Sequence, residues 1–293
     1  MTKILVTGAT GNIGRQVAEA LLREKASVRV AVRDANKAQA LEEKGAEVVT
    51  YDIEKDVGVD AAFDGVQAAF IMTPFVPGFE ALTQKALDAA KRAGVAHVVK
   101  LSAWGADPAA AQWLSKSHGL GDAAVAASGL SYTILRPTFF QDNVLNYAAS
   151  TIVQSGAFFG AAAGQKSSFV SSADVAEVAT TTLLNPSVHN SKTYELTGGE
   201  ALTGAEVAQL MTAIGGKTIT YTDLPPDQYA EGARSSGMPE PYVEAFLGLE
   251  AAKAAGYAAS VSSHVQDVLK RPPEAYEAFL KRHKARIPVP GSA

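Results

Sequence analysis

The feature that most constrains this chain is a run of three glycines, Gly8, Gly11 and Gly14, set directly behind a short apolar segment. Ile4, Leu5 and Val6 are branched and apolar, the pattern of a strand buried in a parallel sheet. An amphipathic helix follows at once, with Val17, Leu21 and Leu22 on its apolar face. Strand, glycine turn and helix N-terminus together predict a pyrophosphate site. Gly8 permits the tight turn, Gly11 lets the backbone approach the phosphates, and Gly14 lets helix pack on strand. The unpaired N–H groups of the first helical turn and the helix dipole favour the anion. A glycine triplet by itself also fits an ordinary tight turn. The strand before it and the helix behind it turn it into a dinucleotide fingerprint.

The chain continues in strand and helix alternation. Strands are predicted at Val28 to Val32, Glu47 to Tyr51, Ala68 to Met72, His97 to Leu101 and Tyr132 to Leu135. Helices are predicted over Lys37 to Lys44, over Leu82 to Ala93 with Gly94 as its stop, and around Ala123 to Ala127. Such alternation argues a parallel sheet wound on both faces. Beyond Pro137 the rhythm changes. Phe139 to Val153 reads as one helix, Gly156 to Gly164 as a small-residue loop, and Asp174 to Leu184 as a helix. Thr193 to Leu196 reads as a strand, Thr203 with Glu206 as a capping box, and Ile219 to Thr222 as a short strand. The tail from Ile287 to Ala293 is expected to be loosely ordered. The fold expected is α/β, a Rossmann-type doubly wound parallel sheet with a smaller α+β C-terminal substrate-binding cap. Residues 1–155 form the dinucleotide-binding domain, with 170–200 packing back onto it, and 156–293 form most of the cap.

Composition narrows the partners. With 293 residues, 47% hydrophobic and 19% charged, the chain has the balance of an ordinary globular protein. A net charge of −4 lacks the electrostatic footprint of a nucleic-acid binder, and the basic run Lys281 to Lys284 reads as a solvated helix end. The absence of cysteine excludes disulfides, thiolate metal sites and cysteine nucleophiles, and suits a reducing cytosol. The N-terminus reads as strand rather than signal peptide, and no apolar run is long enough to span a bilayer. A cytoplasmic protein with no membrane partner is expected; a homodimer is left open. His97, His118, His189, His264 and His283 show no ligand spacing, so no metal site is predicted. No serine sits in a Gly-x-Ser-x-Gly elbow.

In an open parallel sheet, ligands lie at the carboxyl ends of the strands. Those ends here are Thr7-Gly8, Arg33, Asp52-Ile53, Thr73-Pro74, Ser102 and Arg136-Pro137. An NAD site places an acid about 20 residues after the glycines. This chain places Arg33 there, with Asp34 next and Lys37 a turn later, and arginine's planar fork suits a 2′-phosphate. NADP(H) is therefore favoured over NAD(H), although Asp34 keeps NAD(H) open. Asp52 and Ile53 are expected to frame the adenine, Asp52 by hydrogen bond and Ile53 by apolar contact. Thr73 and Pro74 are expected on the nicotinamide side, and Thr10, Asn12 and Ile13 complete the phosphate loop.

With these residues in place, the chain resembles the NmrA-like atypical short-chain dehydrogenases. The carrying motifs are Val6-Thr-Gly-Ala-Thr-Gly-Asn-Ile-Gly14, Val32-Arg-Asp34, Ser128-Gly-Leu-Ser-Tyr-Thr-Ile-Leu-Arg-Pro137 and Phe140-Gln-Asp-Asn143. Asp174-Val-Ala-Glu-Val-Ala179 and Tyr194-Glu-Leu-Thr-Gly198 extend it over most of the chain. Within the group it is most similar to NAD(P)H-dependent quinone reductases and triphenylmethane-dye reductases. Gly237-Met-Pro-Glu-Pro-Tyr242 and Arg271-Pro-Pro273 are similar to relatives of the ergot-alkaloid imine reductases.

Ordinary short-chain dehydrogenases carry a catalytic tyrosine and, four residues on, a lysine. The matching positions here are Leu114 and His118, while Ser102 falls where the family's serine lies. Reducing a plain ketone makes an alkoxide that needs a proton during hydride transfer, and tyrosine usually gives it. A quinone yields a stable phenolate-type anion, and an iminium or dye cation yields a neutral product. The missing tyrosine therefore points to a conjugated small-molecule acceptor held in hydride-transfer geometry. Ser102 and His118 are the candidate catalytic residues and also candidate cofactor ligands. A neutral His118 could bond the nicotinamide ribose or protonate a reduced acceptor; a helix histidine satisfied by its neighbours is the alternative. Asp122, four residues on, could orient the imidazole or pair on the helix surface. Lys116, a second candidate, is expected to face solvent.

Phe75, Trp104, Trp113, Phe139 and Phe140 follow strand ends, where a flat acceptor would stack, and two or three of the five are expected in the core. Phe75, Trp104, Phe139, Phe140 and Asn143 are the candidate acceptor-binding residues. An NADP(H)-sensing regulator that transfers no hydride is the rival reading, and an isomerase or epimerase a third.

Overall fold

The computed structural model describes Thr2 to Ser292. The chain divides into two units, Met1–Pro137 with Ser172–Leu196, and Thr138–Ser171 with Thr197–Ala293.

The first unit is built on a seven-stranded sheet. Its strands are β1 (Lys3–Thr7), β2 (Ser27–Val32), β3 (Glu47–Thr50), β4 (Ala68–Ile71), β5 (His97–Leu101), β6 (Ser131–Pro137) and β8 (Lys192–Leu196). Their order is β3-β2-β1-β4-β5-β6-β8, and every neighbouring pair is parallel. This is the doubly wound sheet that the alternation predicts. The chain winds outward from β1 to β3, then crosses back to start β4 beside β1. The reversal leaves a crevice beyond the carboxyl ends of β1 and β4. Thr7 ties those two ends together: its hydroxyl accepts the Met72 N–H at 2.8 Å and itself lies 3.0 Å from the Met72 carbonyl.

Helices cover both faces. On one, α3 (Val59–Phe63), α4 (Phe79–Arg92) and α5 (Trp113–Ala127) bury Phe63, Leu87 and Val125 against Leu5, Ile71, Val98 and Ile134. On the other, α1 (Asn12–Arg23) packs beside α8 (Ser172–Leu184), and Gln16 donates to the Ser172 hydroxyl at 2.8 Å. The predicted helix over Lys37 to Lys44 is smaller. It is a 3-10 turn at Ala35–Ala38 and one helical turn, α2 (Gln39–Glu42), because Asp34 caps the first turn through the Asn36 N–H. A last short helix, α9 (Pro186–His189), precedes β8.

The second unit holds α6 (Asp142–Tyr147), α7 (Ala149–Ser155), β7 (Ala157–Gly160), α10 (Gly204–Gly215) and β9 (Thr220–Asp223). It ends with α11 (Pro226–Ser235), α12 (Glu240–Ala254), α13 (His264–Leu269) and α14 (Tyr276–Arg282). Its core gathers Leu145, Ile152, Phe158, Met211, Ile219, Phe279 and Leu280. Three expectations need correction here. The single helix from Phe139 starts late, because Phe139 and Gln141 are tied to Val170 by backbone hydrogen bonds of 2.9 and 3.0 Å. It is then broken at Ala148, whose ψ of 1° leaves the helical range. The glycine-rich loop contains β7, which pairs in parallel with β9. The tail is docked rather than loose: Ile287 is buried in this core, and the Gly291 N–H bonds the Val153 carbonyl. Ala293 lies outside the described residues. The capping box at Thr203 and Glu206 forms as expected.

Candidate functional site

The phosphate loop forms at the switch point. Gly8 takes φ +64°, and a Cβ on Gly14 would overlap the Gly8 carbonyl oxygen, so both positions require glycine. Gly11 takes an ordinary φ of −84° and heads α1 as its N-cap, with no side-chain cap and no acid in the first turn. Helical bonding begins with the Arg15 N–H donating to the Gly11 carbonyl, so the amides of Asn12, Ile13 and Gly14 have no backbone acceptor among the described residues, as at any uncapped helix start. Thr10 and Asn12 are exposed beside them, while Ile13 is buried under the helix. The Asn12 side-chain oxygen accepts from Gln16 at 3.0 Å. An uncapped helix start behind a glycine turn fits a dinucleotide pyrophosphate.

Arg33 follows β2 with 72% of its side chain exposed, and its nearest ionic partner is Glu54 at 3.9 Å. Lys37 is also exposed. Asp34 is engaged in capping its own turn. At the end of β3, the Asp52 carboxylate accepts the Glu54 and Lys55 backbone N–H groups at 3.2 and 3.3 Å, which commits it to a local turn. Ile53 is 2% exposed inside the core, contrary to the expectation that it meets the adenine; packing against the sheet leaves its side chain little surface to offer. Thr73 and Pro74 are half-buried beyond β4.

At the end of β5, Ser102 is anchored by its N–H to the Leu135 carbonyl at 2.7 Å, yet its buried hydroxyl has no hydrogen-bond partner among the described residues. His118, on α5, leaves a buried Nδ1 in the same state. Two unmet polar atoms, on the residues matched to the family's serine and lysine, fit a polar ligand group such as a ribose. The imidazole packs edge-on to Phe79 at 4.7 Å. Burial, helped by the nearby Lys100 and Arg136 charges, pushes it down to about 3, so it is neutral near pH 7. A neutral imidazole can donate or accept a hydrogen bond but is not the reservoir of an acidic proton.

Asp122 serves neither role expected of it. It is buried and accepts Lys100 Nζ on Oδ1 and Arg136 Nε on Oδ2, each at 2.8 Å. Lys100 is the residue that sequence reasoning missed. Its only signal was a charge inside the apolar strand His97-Val-Val-Lys-Leu101. Leu114 is buried and Lys116 exposed.

Aromatic placement also departs from expectation, because none of the five rings is in the core. Phe75 is 44% exposed and lies 5.6 Å from Trp113, and Trp104 is half-buried, all in the first unit. In the second unit, Phe139, Phe140 and Asn143 are half-buried. One face of Phe139 is covered by the Lys253 ammonium, 4.3 Å from the ring centroid. Among the described residues no group of three or more His, Asp or Glu is placed to hold a metal, and no helix is long and apolar enough to cross a membrane.

A parallel sheet with a glycine cradle at its switch point defines a nucleotide-binding protein of the Rossmann type. The family model described as the NmrA-like family matches residues 1–280. The chain is 34% identical over 282 residues to the NAD(P)H azoreductase of Xenophilus azovorans, covering 96% of this chain and 98% of that one. It is 31% identical over 240 residues to quinone oxidoreductase 2 of Escherichia coli strain K12, covering 81% and 83%. The crystal structure of an Escherichia coli NADPH-dependent quinone oxidoreductase complexed with NADPH matches with a TM-score of 0.85 at 28% identity, covering 96% and 99%. This chain belongs to the NmrA-like family.

Proposed function

We propose that this NAD(P)H-dependent oxidoreductase transfers hydride to a conjugated electrophile, a quinone, an azo compound or an imine/iminium, and prefers NADP(H). The observation that carries the reading is α5. Where a ketone reductase presents a tyrosine acid, this helix buries Leu114 and carries a neutral His118. Hydride acceptance without an aligned acid is open to substrates that stabilise their own reduced form. The similarity to an azoreductase and a quinone oxidoreductase supports that class.

The bound nicotinamide supplies the hydride. The chain supplies position and shielding. Backbone amides at the start of α1 hold the pyrophosphate. Arg33, 72% exposed and only loosely paired with Glu54 at 3.9 Å, meets the 2′-phosphate with exposed Lys37 four residues on, whereas the Asp34 carboxylate is turned to its own cap. Thr73 and Pro74 line the nicotinamide side, and Ser102 Oγ and His118 hydrogen-bond the ribose. Within the first unit, Phe75 and Trp104 offer flat surface to an acceptor; Phe139, Phe140 and Asn143, in the second unit, remain candidate acceptor contacts by their sequence position. A quinone reduced here leaves as a stabilised anion and takes its proton from water; an iminium leaves neutral. A cysteine-free chain drawing on reduced nicotinamide suits the cytoplasm.

The test is acceptor-dependent loss of reduced-nicotinamide absorbance across a small quinone, a cyclic imine, an azo dye and a cationic dye. Turnover with at least one is expected. Tight NADPH binding with no turnover on any of them would replace this reading with that of a cofactor-sensing regulator.

A further inference from the structure

The second unit holds a charged pair to which the proposed hydride transfer assigns no part. Glu250 and Lys253 stand one turn apart on α12. Glu250 is buried, and its Oε2 accepts the Ala161 N–H at 2.8 Å, just past the end of β7. Its Oε1 accepts Lys253 Nζ at 2.5 Å. The strand end leaves room for the carboxylate, since a Cβ on Gly160 would stand 3.2 Å from Oε2 and closer still to the Tyr221 hydroxyl. A backbone amide thus fixes Glu250, and Glu250 fixes the lysine. The ammonium so held lies 4.3 Å from the centroid of the Phe139 ring.

Stability does not account for the pair, because apolar residues of similar volume do as well or better. The lysine side chain is only 17% exposed, and among the described residues Glu250 meets one of its three N–H donors. Phe139 changes meaning with it. Sequence position marks this ring for stacking on a flat acceptor, yet one of its faces is taken by the cation. What that face presents is a charged hydrogen-bond donor. We infer that Lys253 sets acceptor specificity: its ammonium bonds an oxygen that gains negative charge on reduction, which favours quinones over iminium ions and cationic dyes. The inference deepens the proposed reaction and rests on the reading that the acceptor meets Phe139.

The pair carries no net charge, so it acts at short range through a directed donor. Hydride from the reduced nicotinamide turns a quinone into its hydroquinone monoanion, and the proton that completes the product comes from water. A donor already aimed at the oxygen where that charge develops lowers the barrier. A cationic acceptor loses its charge on reduction, and the ammonium opposes its approach.

Acceptor choice is read as the ratio of kcat/KM for 1,4-benzoquinone to that for a cationic triphenylmethane dye. In Lys253→Met, which keeps the apolar stem, the ratio should fall by about 10- to 100-fold, the usual worth of a charged hydrogen bond. The loss should lie in kcat for the quinone, and Lys253→Arg should restore most of it. An unchanged ratio would overturn the inference, as would equal losses with both acceptors, the mark of a merely structural pair. A parent protein that reduces the dye but not the quinone would overturn it too.

Binding gives a readout free of turnover. With NADP+ present, 4-nitrophenolate and its neutral analogue 4-nitroanisole are titrated calorimetrically into the protein, above the pKa of the phenol. The parent should bind the phenolate at least about 10-fold more tightly, and Lys253→Met should lose that margin. Equal affinities in the parent, or no binding of the phenolate, would overturn the inference without any variant having to fold. If neither acceptor is reduced, the proposed reaction fails, and the phenolate titration still decides what Lys253 does.

Discussion

Arg33 is the side chain on which the proposed preference for NADP(H) rests. It sits at the first position after β2, extends into solvent, and has no acid closer than Glu54 at 3.9 Å. A charge-assisted bond to a phosphate contributes about 1.5–3 kcal/mol, or roughly 10- to 100-fold in affinity. Arg33→Ala should weaken NADPH binding by about that factor and leave NADH binding almost unchanged, as measured by nucleotide fluorescence titration. Equal losses for both nucleotides would remove the 2′-phosphate assignment. Arg33 was legible in the sequence because strand length and glycine spacing fix its place. Lys100 was not legible. Its burial depends on Asp122 and Arg136, which stand 22 and 36 residues away and approach it only once β5, β6 and α5 have packed. Ile53 misled for the opposite reason. Its position at a strand end was read correctly, but the core took its side chain.

At the scale of elements, the β1–α1 turn separates folding from binding. Gly14 is demanded by the backbone, because a Cβ would collide with the Gly8 carbonyl, a rigid neighbour that cannot yield. Gly11 is not demanded in this way: its φ is ordinary, and a Cβ would stand 3.3 Å from the Gly8 oxygen. Gly14→Ala should therefore lower stability by about 2 kcal/mol or more, in the range of severe backbone clashes. Gly11→Ala should keep the thermal midpoint of the unliganded protein within a degree or two and lose most of the NADPH-dependent rise in that midpoint. Scanning fluorimetry with and without NADPH measures both. A Gly11→Ala protein that is still raised by NADPH as much as the parent would mean that the ligand does not approach this backbone. Strongly patterned elements were readable from sequence, as the glycine turn and the Thr203–Glu206 capping box show. Elements set by distant partners were not. β7 is four residues ending in glycine and exists because β9 lies beside it, and α6 begins only where Val170 releases the backbone of Gln141.

At the scale of the whole molecule, the alternation disclosed the sheet, and the composition after Pro137 led to the expectation that 170–200 packs back onto it. The first unit is left at Pro137 and rejoined at Ser172, so α8 reaches α1 and β8 completes the sheet from residues remote in sequence. The closing of that sheet also sets how the protein meets acid. His97, at the start of β5, is buried between Ser131 Oγ at 2.8 Å and Thr133 Oγ1 at 3.3 Å, and the Thr133 hydroxyl donates to the His189 carbonyl, binding β5, β6 and the approach to β8. Burial, with His189 nearby, pushes His97 down to about 4, and burial likewise depresses His118, His189 and His283. Each of these imidazoles is depressed in the folded state, so the unfolded chain binds more protons once the pH drops below the ordinary 6.5. Their contribution to stability is therefore complete above pH 6.5 and is lost as the pH falls through 6.5 towards 4. Carboxylates held low, such as Glu47 beside Arg29, act only below their ordinary 4.5, so the interval between 6.5 and 4.5 isolates the histidines. The thermal midpoint should be level from pH 8 to 6.5 and fall steadily from there to 4.5. In His97→Gln, an uncharged replacement that keeps one hydrogen bond, the midpoint should start lower and fall less steeply over the same interval. A parent protein whose midpoint is flat across it would show that these imidazoles already titrate at their ordinary value in the folded state.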